Sequence, residues 1–131
     1  MDEERRMAME EKARFLDSRL RMLRENLERT AQIMMEMEVA KNGIREMEKG
    51  NREVMMSMGS GVMAKATVTS DNVVTPIGSN YYAILPYSKA MEKMDKLILS
   101  AKRNQENISE EAKKVEKELV SLLKEARGTD V

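Results

Sequence analysis

Residues 58–66, MGSGVMAKA, interrupt a chain whose flanking segments have the pattern of long helices. The stretch returns nineteen residues later in altered form as IGSNYYAIL, residues 77–85. Each copy sets a short turn between runs of β-branched, aromatic and methionine residues, a pattern typical of a β-hairpin. Gly and Asn tolerate the positive φ of tight hairpin turns, so Asn80 can take the place of Gly61. The repeat therefore predicts two copies of one β-hairpin.

Four short strands are expected in this region, over Glu53–Met58, Val62–Val68, Asn72–Ile77 and Tyr81–Leu85. The strands carry apolar residues on both faces and have open edges, and small hairpins are marginally stable in water by themselves. A pair of helices is too thin to cover such a sheet. Residues 53–85 are therefore predicted to be an assembly segment that pairs with other chains. Its candidate contact residues are the apolar and turn residues Val54, Met56, Met58, Gly59, Gly61, Val62, Ala64, Val68, Val74, Ile77, Gly78, Tyr81 and Ala83.

Both flanking segments show the heptad pattern of a coiled coil, with apolar residues at alternating steps of four and three. The pattern covers residues 9–44, with Thr30 and Lys41 as polar exceptions, and residues 91–126. Two one-sided helices of similar length are expected to pair with each other, and pairing of each with another chain is the alternative. The predicted fold class is α+β and mainly helical: a long antiparallel two-helix coiled coil with two β-hairpins inserted between the helices.

The helices are predicted over residues 2–49 and 88–127. Gly50 suits the residue after a helix C-terminus, and Ser88 is the expected N-cap of the second helix. Gly43 is less favourable than Ala inside a helix by about 1 kcal/mol. A bend or an earlier end of the first helix near that glycine is left open.

The composition argues against several classes of function. There are 23 basic and 23 acidic residues and no basic block, so neither nucleic acid nor an anionic membrane is an expected partner. The chain has no His and no Cys, which removes the usual metal ligands and nucleophile–base pairs. Neither glycine turn has the Lys and following Ser or Thr of a phosphate-binding loop. No enzyme activity, cofactor or metal is expected, and the charged N-terminal sequence without a long apolar run favours a cytoplasmic protein.

The sequences VMMSMGSGVMAKATV, residues 54–68, and VVTPIGSNYYAI, residues 73–84, resemble the paired small-residue hairpin motifs of prefoldin. The order of long helix, two hairpins and long helix resembles the α-type subunits of that family over the whole chain, so residues 1–131 are expected to form a single prefoldin-like domain. Asn80 departs from the glycine common at the second turn. It also tolerates a positive φ, so the hairpin prediction stands.

The resemblance implies a hexamer of two α-type and four β-type subunits, in which the hairpins build a platform and the coiled coils project from it. It also implies an ATP-independent chaperone that captures non-native client proteins between the coiled coils and passes them to a group II chaperonin. The alternative function is a structural adaptor that oligomerises through its hairpins and docks one defined partner.

A chaperone of this kind needs exposed apolar side chains, so apolar residues near the chain termini are candidate client-binding residues. They are Met7, Met9, Phe15, Met22, Val120 and Leu123. Scattered apolar residues are normal on protein surfaces, which is the alternative interpretation of this set. Three apolar residues near the predicted sheet are expected to be part of the core instead: Met47, Leu97 and Leu99.

Overall fold

The computed structural model describes residues 2–128. Its elements in chain order are α1 (Glu3–Glu48), β1 (Glu53–Gly59), β2 (Val62–Thr67), β3 (Asn72–Gly78), β4 (Tyr81–Pro86) and α2 (Tyr87–Gly128). The predicted fold class, two long helices with two β-hairpins between them, is confirmed. The described residues divide into two compact units, a terminal unit of residues 2–33 with 101–128 and a hairpin unit of residues 34–100.

Helix α1 runs through Gly43 without a break and stops two residues before Gly50. Gly50 has a φ of 96°, its N–H donates to the carbonyl of Met47, and the N–H of Asn51 donates to that of Glu46. These two bonds satisfy carbonyls that the last turn leaves unpaired. The Asn51 side-chain amide also donates to the Glu46 carboxylate at 2.6 Å, and this bond, aided by Lys49, lowers the pKa of Glu46.

Helix α2 begins directly after strand β4, at Tyr87, so the prediction that Ser88 is its N-cap was wrong. The serine lies inside the first turn of the helix. Tyr87 is 8% exposed and packs with Ala90 and Met94 of α2 and Ile44 of α1. Tertiary packing of its ring therefore anchors the first residue of the helix.

In the terminal unit the core is a leucine seam. Leu16, Leu20 and Leu23 of α1 are at most 7% exposed and pack with Ala112 and Val115 of α2. Full burial of one such side chain contributes about 1.5–3 kcal/mol, so this short seam stabilises the pairing of the helices substantially. Three partly buried residues extend it: Ile108, Leu119 and Leu122.

The direction of the two helices in the terminal unit follows from an ion-pair ladder at seven-residue intervals. Its members are Arg5 with Glu125, Lys12 with Glu118, and Arg19 with Glu111. Residue numbers rise along α1 as they fall along α2, so the helices are antiparallel here. All six residues immediately precede a seam position, the heptad position g, which places the ladder along one side of the seam.

A second core lies in the hairpin unit, around the cluster formed by Ile44, Tyr87, Ala90 and Met94. The residues packed against it are partly buried: Met37, Met47, Val73, Leu85, Met91 and Leu97. Met47 and Leu97 therefore lie in the core as expected, but Leu99 does not. Its side chain is 51% exposed, because it lies one residue past the seam position of Ile98.

Lys41, a polar exception in the heptad pattern, lies in the hairpin unit with its side chain 16% exposed. Its ammonium group is 2.7 Å from the carboxylate of Asp95 on α2. A partly buried cation is tolerated when it is paired, and Asp95 supplies that pairing. The periodicity of the sequence did not reveal this partner.

Candidate assembly and client-binding surfaces

The two hairpins form separate two-stranded antiparallel sheets, β1 with β2 and β3 with β4. Their registers repeat at the offset seen in the sequence, since Gly59 faces Val62 as Gly78 faces Tyr81. The three residues of each turn have positive φ: Gly59, Ser60 and Gly61 at 97°, 51° and 80°, and Gly78, Ser79 and Asn80 at 116°, 50° and 63°. The prediction that Asn80 takes the place of Gly61 is confirmed.

Strands β3 and β4 have one face against the core and one face open. Val73 and Leu85 face each other and pack on the helical cluster, and Thr75, two residues along the same face, is 2% exposed. On the other face Val74 and Ile84 pair with each other at 68% and 73% exposure. A β-branched pair this exposed is an unused contact surface within the described chain.

Strands β1 and β2 expose apolar side chains on both faces. Val54 and Met56 share one face, whereas Met55 and Met63 lie on the other, and all four are exposed. Methionine occupies four positions of this hairpin where the second hairpin has Val, Thr, Ile and Tyr, so the first hairpin presents the more adaptable surface. Each strand of both hairpins is also an edge strand with an unpaired side.

The structure places the predicted assembly residues in three environments. Exposed on the strands are Val54, Met56, Met58, Val62, Val74, Ile77 and Tyr81. Partly buried are Ala64, Val68 and Ala83. The remaining three form the turns: Gly59, Gly61 and Gly78. Four exposed residues were not predicted from the sequence. Met55 and Met63 lie on the face opposite Val54 and Met56, whereas Tyr82 and Ile84 share a face with Val74.

Arg52, directly before strand β1, bonds to the loop between the two hairpins, and the sequence analysis did not predict this role. Its guanidinium donates to the carbonyl of Ser70, to the hydroxyl of Tyr87 and to the carboxylate of Asp71, each at 2.8 Å. The bond to Asp71 raises the pKa of Arg52. The Tyr87 hydroxyl donates in turn to the Ser70 carbonyl at 2.7 Å, and its ring lies 5.2 Å from the guanidinium. These contacts tie the loop between the hairpins to the start of α2.

In the terminal unit two predicted client-binding residues lie on the side of the ion-pair ladder. Phe15 and Met22 are 66% and 60% exposed and occupy the same heptad position, c, which neighbours position g. Met22 lines an open groove whose other walls include Arg19 and Glu111 of the ladder. The apolar floor of that groove is formed by Leu23, Ile33 and Ile108. We call this side the ladder face.

The other predicted client-binding residues of the coiled coil lie across the seam from the ladder. Met9 and Leu123 line one groove of about 150 Å³ with Ala13, Leu122 and Ala126. Val120 lies three residues before Leu123 and is exposed, as is Met7, whereas Met9 is partly buried at the seam. We call this side the groove face. The six predicted residues therefore do not form one patch, because the structure divides them between two faces.

Within residues 2–128 no three His, Cys, Asp or Glu side chains are grouped so that they could hold a metal ion. Over the same residues neither helix is apolar enough along its length to span a membrane.

Comparison with known proteins agrees with this arrangement. The family model described as Prefoldin subunit matches residues 9–129. A protein named Prefoldin subunit alpha from Pyrobaculum aerophilum is 26% identical over 99 residues, covering 70% of this chain and 75% of that protein. Its counterpart from Pyrobaculum arsenaticum is 25% identical over the same length, covering 70% and 73%.

A solved structure has the same fold. One chain of the cryo-EM structure of filamentous PFD from Methanocaldococcus jannaschii superposes with a TM-score of 0.75, covering 88% of this chain and 98% of that one, at 18% identity. The family match extends over nearly the whole chain, and the two hairpins are those expected of an α-type subunit. This chain therefore belongs to the prefoldin family of chaperones, as an α-type subunit.

Proposed function

We propose that this chain is one subunit of an ATP-independent chaperone in the cytoplasm, assembled with β-type subunits through its hairpins. The assembly we propose is a hexamer of two α-type and four β-type subunits. Non-native proteins are captured at the terminal units and passed to a group II chaperonin. Neither client capture nor delivery requires catalysis by this chain.

The observation that carries the assembly step is the exposure of the hairpins. Eleven of the twenty large hydrophobic side chains exposed in the described residues lie within residues 53–86. Contiguous exposed apolar surface of this kind marks protein–protein contacts, and the edge strands supply unpaired backbone groups for strand pairing. Paired with hairpins of other subunits, these strands gain both the missing sheet neighbours and the missing cover.

The proposal is tested by mixing the chain with a β-type prefoldin subunit and measuring sedimentation velocity. We expect one defined hetero-oligomer, whereas the chain by itself self-associates because its hairpins lack partners. The assembled species is expected to suppress aggregation of several unrelated, chemically unfolded proteins at stoichiometric concentration without ATP. A stable, well-dispersed monomer at micromolar concentration, or an assembly that protects no client, contradicts the proposal.

A matched pair of variants isolates the hairpin contact. Val74→Lys with Ile84→Lys places two charges on the exposed face of the second hairpin, and assembly is expected to fail while the helical content stays unchanged. Met35→Lys with Val39→Lys adds the same charge at two positions of α1 that are both 70% exposed. This control is expected to assemble normally.

A second candidate function is the structural adaptor, and one observation favours it. The solved structure that this chain resembles is described as filamentous. Under this candidate, the hairpins join copies of this chain into a scaffold whose terminal units dock one defined protein. Long polymers of the isolated chain in electron micrographs, together with protection of a single client only, favour the adaptor over the general chaperone.

A further inference from the structure

Four cations and one valine form a continuous stripe on α2 near the chain termini. The steps between them are four, three, four and three residues, which places them along one side of the helix. We call this set the basic stripe: Lys113, Lys117, Val120, Lys124 and Arg127. All five side chains are exposed, and the next position of the same row, three residues before Lys113, is Glu110.

The four cations have no ion pair or hydrogen bond from their side chains to any residue within 2–128. Several of the nearby carboxylates pair with other cations. Glu111, Glu118 and Glu125 pair with α1 in the ladder, and Glu116 pairs with Arg24 at 4.0 Å, whereas Glu110, three residues before Lys113, pairs with none of the four cations. Two carboxylates on the groove face of α1 pair within their own helix, Glu10 with Arg6 and Asp17 with Arg21. The four cations of the stripe are therefore left without ion-pair partners among the described residues.

The basic stripe runs beside the apolar groove. A shallow surface is lined by Lys113, Lys117 and Val120 together with Glu116, whose carboxylate pairs with Arg24, and Ser121. Leu123 forms part of the groove that it shares with Met9. A bound chain segment that inserts an apolar side chain into the groove brings its neighbouring residues close to these ammonium groups. On the ladder face the three cations of the ladder already pair with carboxylates, and the other cation of its groove, Arg29, donates to the side-chain carbonyl of Asn26.

We propose that the groove face selects non-native protein segments that combine apolar residues with Asp or Glu. The inference rests on the proposed client-binding function and adds a preference for one class of client. Carboxylates of an acidic segment form the ion pairs that the stripe lacks, whereas Lys or Arg in the same places are repelled. The ladder face discriminates less between acidic and basic segments, so selection of clients by charge takes place on the groove face.

The test uses the assembled hetero-oligomer and two fluorescein-labelled peptides with identical leucine and phenylalanine residues. Every charged position is Glu in one peptide and Lys in the other. We expect the Glu peptide to bind roughly threefold to tenfold tighter at low salt, the range for two or three exposed ion pairs. The difference is expected to vanish at about 1 M NaCl, where the screening length is about 3 Å.

Two variants locate the effect. Lys117→Glu with Lys124→Glu reverses the charges on either side of Val120, and the preference is expected to disappear or to reverse. Lys102→Glu with Arg103→Glu makes the same change in net charge at exposed positions of α2 outside the stripe, and the preference is expected to remain. Circular dichroism and sedimentation verify that both variants fold and assemble.

Equal binding of the two peptides by an assembly that does suppress aggregation overturns the inference and leaves the proposed function intact. A preference that survives in the stripe variant overturns it as well. Binding of neither peptide, with no suppression of aggregation, overturns the proposed function and this inference together. Assemblies could also associate with one another through their terminal units in a salt-sensitive way that the stripe variant loses. That result shows that the stripe binds a second copy of the chain, and it also contradicts the inference.

Discussion

Two residues apart on α1, Leu20 and Met22 show how heptad position decides the role of a side chain. Leu20 is 5% exposed in the seam, whereas Met22 is 60% exposed beside the ion-pair ladder. The periodicity predicted this division, because only positions a and d face the opposing helix. The periodicity did not show that Phe15 and Leu123 lie on different sides of the coiled coil. Phe15 is at position c of α1 and Leu123 at position e of α2, and the side on which each lies is known only once the antiparallel pairing of the helices is known.

This separation leads to a prediction for single residues. Phe15→Ser and Leu123→Ser each change an exposed position, so unfolding stability is expected to change by no more than about 0.5 kcal/mol. Each variant is expected to lose only part of the suppression of client aggregation, because it removes an apolar side chain from one face. The double variant is expected to lose the sum of the two effects, since the sites share no contact.

Thermal unfolding and aggregation assays on the same samples check this prediction. Met35→Ser is the control, because Met35 is 70% exposed on α1 but lies in the hairpin unit. It is expected to leave suppression unchanged. A double variant that suppresses aggregation as well as the wild type shows that neither face contacts clients through these residues.

At the scale of secondary structure elements, the repeat at offset nineteen was the most informative feature of the sequence. It predicted both turns and both hairpins, because positive φ at three successive residues restricts which residues can stand there. Strand alternation gave two faces but not which one packs on the helices. That choice depends on Val73 and Leu85 meeting a helical cluster whose members come from distant parts of the chain.

The start of α2 shows a second feature that the sequence pattern did not predict. A serine two residues after a proline favoured a local cap at Ser88, yet the helix starts at Tyr87, whose ring makes long-range contacts. The partners of that tyrosine, Arg52 and Ser70, lie 35 and 17 residues away in sequence. Tyr87 stands nineteen residues after Val68, so the repeat places it at an equivalent position but does not reveal what its hydroxyl binds.

Tyr87→Phe tests the contribution of this hydroxyl to the hairpin unit. The change keeps the ring in the core and removes one donated and one accepted hydrogen bond, so it is expected to lower the free energy of unfolding by about 1–2 kcal/mol. Tyr82→Phe, at a position 66% exposed, is expected to change it little. Chemical denaturation of both variants measures the difference, and equal stability of the two shows that the hydroxyl bonds add nothing.

For the whole molecule, the division of the chain into two compact units agrees with the proposal that the hairpin unit assembles the oligomer and the terminal unit binds clients. The buried clusters differ in kind as well. The terminal unit has a seam of leucines with Ala112 and Val115, whereas the hairpin unit combines helix residues with strand residues. Sequence periodicity treats both seams alike, so it did not indicate that Lys41 in the hairpin unit has Asp95 as its partner.

Removal of residues 1–14 together with residues 120–131 tests whether assembly and client capture belong to different parts of the chain. The cut removes the groove face and two pairs of the ladder, but it spares the cluster around Leu16, Leu20 and Leu23 and the pair of Arg19 with Glu111. All of residues 34–100 stay intact. We therefore expect the trimmed chain to form the same oligomer with the β-type subunit.

Suppression of aggregation by the trimmed oligomer is expected to fall without disappearing, because Phe15 and Met22 of the ladder face remain. Adding Met22→Ser and Phe15→Ser to the trimmed chain is expected to remove most of what is left, since each fully engaged apolar side chain contributes about 1.5–3 kcal/mol of burial to client binding. Sedimentation velocity and aggregation assays on the same preparation separate the two properties. Loss of the oligomer on trimming contradicts the assignment of assembly to the hairpins, and full suppression by the trimmed, doubly substituted oligomer contradicts client capture at the terminal unit.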